Sequence, residues 1–208
     1  IALTKGRLAV QTLELFEKIG ISCPEMRDGS SRKLIFTDEK QKIRFFLAKA
    51  GDVPTYVEYG AADLGVAGKD AILEEGRRLY EVMDLGFGRC RFALAVKEGS
   101  DFYGTYRTRR VASKYPEVTR AFFEGKGMDV DIIKIEGSVE LAPILGLTDA
   151  IVDIVETGAT LKANGLVPIE TVADVSARLI VNTASMKLYK DQISDFIAKC
   201  EGQLGVKG

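Results

Sequence analysis

The chain has 208 residues, with 29 Lys plus Arg against 30 Asp plus Glu, a formal charge of −1 and no histidine. That length suits one large domain or two small ones with a packed core, and the near-neutral charge argues against a nucleic-acid-binding surface. The missing imidazole excludes His triads, His metal sites and imidazole acid–base catalysis.

Cys23, Cys90 and Cys200 are widely spaced and form no Cys-x-x-Cys pair, which fits a reducing, cytoplasmic setting and argues against a disulfide framework or structural zinc. No apolar run approaches the roughly 18 residues of a membrane span, and the opening residues from Ile1-Ala2-Leu3 show no signal-peptide pattern.

In chain order, Ile1-Ala2-Leu3 reads as a strand. A helix is predicted from about Leu8 to Ile19, ending at Gly20, with Leu8, Leu13, Phe16 and Ile19, and Val10 alongside, as its buried stripe. Leu34-Ile35-Phe36 and Ile43 to Leu47 read as strands. Asp52 to Gly60 is a compact helix that Asp52 caps, Pro54 enters and Gly60 closes. Leu64 to Ala67 is a buried strand, and Gly68-Lys69-Asp70 starts another helix. A strong strand, Phe92 to Val96, opens a second region. It continues as strand Arg110–Ala112, helix Pro116–Phe123, strand Ile132–Ile135, helix Leu141–Leu145 and strand Ile151–Val155. Ala177 to Val181 is a further strand, and an amphipathic helix carrying Tyr189, Ile193, Phe196, Ile197 and Cys200 follows it.

This alternation predicts an α/β fold with mostly parallel sheets, in two domains around a cleft. The expected split is residues 1–90 plus 175–208 for a discontinuous first domain and 91–174 for the second. Ligands of such folds bind beyond the carboxyl ends of the strands.

The richest stretch is Ile151 to Asn164. An apolar strand containing Asp153 ends at Glu156, and Thr157-Gly158-Ala159-Thr160 then opens a helix. Unpaired amides, the positive helix end and two hydroxyls suit a phosphate. Asp153 and Glu156 suit sugar hydroxyls or a hydrated Mg²⁺. Together these are the chemistry of a phosphoribosyl site. The same letters also fit a plain strand-to-helix turn with Glu156 on the helix dipole.

Lys5-Gly6-Arg7 makes a second strand-to-helix turn, whose cations suit a polyanion or simply face solvent. Ser30-Ser31-Arg32-Lys33 precedes a strand and Lys49 precedes a helix; each is an anion contact or a surface charge. Gly137-Ser138 reads as a turn with Ser138 capping the next helix, and it also presents amides. Gly86-Phe87-Gly88 is no dinucleotide fingerprint, because the third glycine is missing and a strand follows.

These segments, taken with Asp52 to Gly60, Ala62 to Asp70, Lys114-Tyr115-Pro116, Gly137 to Pro143, Ile151 to Leu161 and Ser176 to Asn182, occur in an order that resembles the catalytic subunit of ATP phosphoribosyltransferase over essentially the whole chain. Thr4 departs from the proline expected before Lys5-Gly6-Arg7, a change of turn rigidity more than of chemistry. The resemblance implies two α/β domains like those of periplasmic binding proteins of type II. It implies a pentosyltransferase that moves the phosphoribosyl group of phosphoribosyl pyrophosphate (PRPP) to N1 of ATP, the first step of histidine biosynthesis. It also implies a short form that works with a regulatory subunit similar to histidyl-tRNA synthetase.

On that resemblance, Asp153, Glu156, Thr157, Gly158, Ala159, Thr160 and Leu161 are expected to bind PRPP. Lys5, Gly6, Arg7, Asp70, Gly137 and Ser138 are expected to serve ATP and pyrophosphate, and Lys5, Arg32 and Lys49 catalysis. Mg²⁺ is expected to arrive with the substrate near Asp153 and Glu156. A non-catalytic two-domain binder of a small anion is the other reading; plain anion capture needs no acidic pair ahead of Thr157.

Overall fold

A computed structural model describes residues 1–28, 31–104 and 107–205. Ser30 therefore lies outside the described residues. The chain divides into two units, Ile1–Gly88 with Ser176–Gly208, and Arg89–Val175.

In the first unit the order is β1 (Ala2–Thr4), α1 (Arg7–Lys18), a 3-10 turn (Pro24–Arg27), β2 (Phe36–Asp38), β3 (Ile43–Ala48), α2 (Asp52–Glu58), β4 (Leu64–Gly68), α3 (Lys69–Glu75) and β5 (Tyr80–Asp84). The second unit follows with β6 (Cys90–Lys97), β7 (Arg109–Ser113), α4 (Pro116–Gly125), β8 (Val130–Lys134), α5 (Leu141–Ile144), β9 (Ala150–Val155), α6 (Ala159–Ala163) and β10 (Leu166–Val175). The chain returns to the first unit through β11 (Ala177–Val181), α7 (Ser185–Leu188) and α8 (Lys190–Leu204).

The first sheet runs β2-β3-β1-β4-β11-β5. Its centre is parallel, because β1 pairs in parallel with both β3 and β4, while β2, β11 and β5 join antiparallel. One face is covered by α1 and α8. Phe16 and Phe196 meet there edge to face at 5.3 Å, among Leu3, Leu13, Val66 and Cys200. The other face takes Val53 and Val57 of α2 against Ala2, Ala67 and Ile180. Truncating a fully buried ring such as Phe16 typically costs about 3–5 kcal/mol, so this packing holds the strand ends that carry the site.

The second sheet runs β10-β6-β9-β7-β8, parallel across β9-β7-β8 and antiparallel across β10-β6-β9. Phe92, Phe102, Val118 and Phe123 fill one face, with α4 contributing the last two. Val139, Ala142 and Leu161 pack on the other, bringing α5 and α6 over Ala93, Ala95 and Ile151. Two α/β units are thus what the strand–helix alternation implies, and the parallel pairing it leads one to expect is found at β3-β1-β4 and β9-β7-β8, with antiparallel strands joined at the edges.

Several local expectations change. Val10 is 47% exposed, whereas Leu13 and Phe16 are buried as expected, joined by Ala9, Thr12 and Leu15, with Leu8 and Ile19 partly buried against the same core. Leu34 and Ile35 are 81% and 58% exposed, and the strand begins only at Phe36. Asp52 lies within the first turn of α2 after Gly51, and no side chain caps that helix. Likewise no side chain caps α5; the carbonyl of Ser138 accepts from the amide of Leu141 at 3.2 Å. Tyr189 precedes α8 and is 48% exposed, so the buried face of that helix is Ile193, Phe196 and Cys200.

Candidate functional site

Parallel strands that each feed a helix gather the turns at their carboxyl ends on one sheet edge. In the first unit this edge collects three of the expected segments. Lys5 and Gly6 join β1 to α1, which Arg7 opens, Lys49 follows β3, and Asp70 lies in the first turn of α3 after β4. The amide of Lys5 donates to the carbonyl of Ala48 at 2.9 Å, which fixes the Lys5 turn against the Lys49 turn. Gly6 has φ +91 and ψ −145, a conformation that side chains resist, so the turn needs glycine there. Lys5, Arg7 and Lys49 are all exposed.

Arg32 is exposed in the loop before β2. The pairing of Phe36 with Phe45 places the start of β2 beside the middle of β3. Its neighbour Lys33 is held by Glu25 at 2.7 Å. No hydrogen bond or ion pair among the described residues ties Arg32 to Lys5 or Lys49.

Behind this edge lies a network that sequence reasoning passed over. Glu81 of β5 pairs with Lys69, the first residue of α3, and with Arg178 of β11 at 3.2 Å. Arg178 also reaches Asp84 at 3.2 Å, and Ser176 donates to Asp84 at 2.8 Å. The half-buried charges fasten the start of α3, and with it Asp70, to the antiparallel strands. The only sequence signal was Arg178 in an apolar run.

In the second unit the structure gathers the whole expected PRPP segment. Asp153, Glu156, Thr157, Gly158, Ala159, Thr160 and Leu161, joined by Glu140, line a pocket of about 330 Å³. Gly158 takes a left-handed conformation, φ +77, that turns the chain from β9 into α6. The Thr157 hydroxyl accepts from the amide of Ala159 at 3.3 Å, and the carbonyl of Gly158 accepts from the amide of Lys162 at 3.0 Å. First-turn amides of a helix have no intrahelical acceptors, which leaves the amides of Thr160 and Leu161 as donors in the pocket lining. Asn164 closes the far end by donating to the carbonyl of Thr160 at 2.9 Å.

Asp153 is half-buried, and burial pushes its carboxyl above the usual aspartate range. The amide of Ile154 pulls it down, Glu140 pushes it further up, and Lys114 pulls it down. Glu140 is the pocket carboxylate that received no role from the sequence. Its signal was slight: it follows buried Val139 just before an apolar helix, where a carboxylate reads as ordinary helix dressing. Gly137 and Ser138 are exposed on the loop between β8 and α5, and they do not line the pocket.

Among the described residues no cluster of three or more His, Cys, Asp or Glu side chains is arranged to hold a metal. The carboxylates Asp153 and Glu156 suit an ion that brings most of its oxygen ligands from a phosphate substrate and water, as Mg²⁺ does. No helix among the described residues is long and apolar enough to cross a membrane.

Comparison with known proteins agrees over the full length. The family model described as HisG, ATP phosphoribosyltransferase, matches residues 49–202. An ATP phosphoribosyltransferase of Ruminiclostridium cellulolyticum is 56% identical over 210 residues, covering 100% of this chain and 98% of the relative. That of Clostridium acetobutylicum is 58% identical over 199 residues, covering 96% and 92%. Among solved structures, the ATP phosphoribosyl transferase (HisG:HisZ) complex from Thermotoga maritima contains a chain that superposes with a TM-score of 0.83 at 32% identity, covering 98% of this chain and 97% of that one. Enzymes of this kind use a divalent metal. The chain belongs to the ATP phosphoribosyltransferase family.

Proposed function

We propose that the chain transfers the phosphoribosyl group of PRPP to N1 of ATP, releasing pyrophosphate, as the first step of histidine biosynthesis. The observation that carries this is the 56% identity to a named ATP phosphoribosyltransferase along the entire chain. The pocket of the second unit supports it, since it joins a Thr-Gly-Ala-Thr turn to the carboxylates that a ribose ring requires.

In this reading Thr157, Gly158, Ala159, Thr160 and Leu161 hold the 5′-phosphate, and Asp153, Glu156 and Glu140 accept from the ribose hydroxyls. A Mg²⁺ ion travels with the diphosphate of PRPP and is met by Asp153 and Glu156. Lys5, Gly6, Arg7, Asp70, Gly137 and Ser138 serve ATP and the departing pyrophosphate. Lys5, Arg32 and Lys49 stabilise charge that develops on the leaving group. N1 of adenine carries no proton, so attack on the anomeric carbon needs no general base. Alignment and electrostatics then carry the rate, which suits a chain without histidine.

The enzyme works in the cytoplasm. By analogy with the HisG:HisZ complex of Thermotoga maritima, it partners a regulatory subunit like histidyl-tRNA synthetase. The test is a mass spectrum of ATP, PRPP and Mg²⁺ incubated with the chain. A phosphoribosyl-ATP peak, with the chain alone or with its regulatory partner, is the expected result. Its absence in both cases removes the proposal and leaves plain anion binding.

A further inference from the structure

We propose that Lys114, at the end of β7, binds the diphosphate of PRPP and supplies the positive charge that the pocket of the second unit lacks. The proposal rests on the assignment of that pocket to PRPP.

The pocket carries three carboxylates, Glu140, Asp153 and Glu156, and no lysine or arginine. A substrate bearing a 5′-phosphate and a diphosphate requires cations close to the sugar. Two other basic side chains of the second unit have partners, and a third lies at the far end of its helix. Lys134 is paired with Glu136 at 2.9 Å, Arg91 donates to the Thr171 hydroxyl at 2.8 Å, and Lys162 sits in the last turn of α6, away from its N-terminal end.

Lys114 is placed differently. β7 and β9 run parallel with Ser113 beside Val152, so one step further along both chains Lys114 comes beside Asp153. The turn is fixed by Ser113, whose hydroxyl donates to the carbonyl of Val152 at 2.7 Å and accepts from the amide of Tyr115 at 2.9 Å. Lys114 is exposed, and among the described residues no carboxylate lies within ion-pair distance of its ammonium. The ammonium stands 6.0 Å from the centre of the Tyr115 ring. Its charge is felt at Asp153 and at Glu136. A 5′-phosphate on the Thr157–Thr160 turn and a ribose over Asp153 would send the diphosphate toward the neighbouring strand end, where Lys114 lies.

The experiment compares the wild-type chain with Lys114→Met, which keeps the apolar stem, with Lys114→Gln and with Lys114→Arg. Dissociation constants are measured by calorimetry for PRPP, inorganic pyrophosphate and ribose 5-phosphate, all with Mg²⁺, and the KM for ATP is measured alongside. Loss of a charge-assisted hydrogen bond should raise the PRPP and pyrophosphate constants about tenfold in Met and Gln. Lys114→Arg should stay within about threefold of wild type, because the charge is kept. Affinity for ribose 5-phosphate, the KM for ATP and the melting temperature should not change. Unchanged PRPP affinity in both neutral variants overturns the proposal. Equal loss for ribose 5-phosphate moves Lys114 to the 5′-phosphate, and a raised ATP KM alone moves it to the nucleotide; either overturns the diphosphate assignment. A wild-type chain that forms no phosphoribosyl-ATP sinks the underlying function, whereas an active wild type with unaltered variants sinks only the role of Lys114.

Discussion

The amide of Lys5 donates to the carbonyl of Ala48 at 2.9 Å, so the turn after β1 is locked to the residue that precedes Lys49. Two ammonium groups on one sheet edge, fixed through backbone, are suited to one polyanion. Lys5→Ala and Lys49→Ala should each lower kcat/KM by roughly 10- to 100-fold, and the double variant should lose less than the product of the two. A double-mutant cycle on initial rates checks this. Strictly multiplicative losses would mean that the two lysines act on separate groups.

Arg32 stands on the loop before β2 and makes no ion pair within the described residues of the chain. A cation held by no internal carboxylate is available to charge that builds only in the transition state. Arg32→Ala should slow single-turnover chemistry roughly 100-fold while changing PRPP affinity less than about threefold. A normal single-turnover rate would remove Arg32 from the reaction.

Thr157 and Thr160 flank the left-handed Gly158 in the pocket turn. Replacing both hydroxyls by Thr157→Ala with Thr160→Ala should weaken PRPP binding about tenfold or more, through lost hydrogen bonds to a charged group. Both threonines are exposed, so thermal melting should stay close to wild type. Calorimetric titration with PRPP tests the first part, and unaltered affinity would contradict the phosphate turn.

The carboxyl of Asp153 is raised mainly by burial. Between the ordinary aspartate pKa and the raised one, the folded chain holds a proton that the unfolded chain has released. Stability therefore falls as pH rises through that window, and at neutral pH ionised Asp153 is a net cost to the fold. Asp153→Asn should raise the melting temperature at pH 7 and should gain nothing at pH 3, while PRPP binding collapses. A variant that melts lower at pH 7 would show that Asp153 is stabilised by its surroundings.

The turns of the candidate site are easier to read from sequence than the sheets that carry them. Lys5-Gly6-Arg7 and Thr157 to Thr160 are readable because glycine, hydroxyl and charge must coincide where a strand turns into a helix. β10 was hidden because Pro168 and Glu170 interrupt its apolar pattern. It lies at the sheet edge with register shifts after Pro168 and after Thr171, where proline is tolerated. β5 has only Met83 buried, so its pattern is as weak as its burial. Leu34 and Ile35 misled for the opposite reason, being apolar and exposed, and periodicity carries no information about which apolar residues the core leaves out. Glu140 and the Glu81–Arg178 pair depend on contacts distant in sequence, and no local pattern announces them.

The most direct measurement is a crystal structure of the chain soaked with PRPP and Mg²⁺. The 5′-phosphate is expected on the amides and hydroxyls of Thr157 to Leu161, with the ribose hydroxyls on Asp153 and its neighbouring carboxylates. Density for PRPP anchored by its 5′-phosphate elsewhere, with the Thr157–Leu161 turn empty, would contradict the assignment.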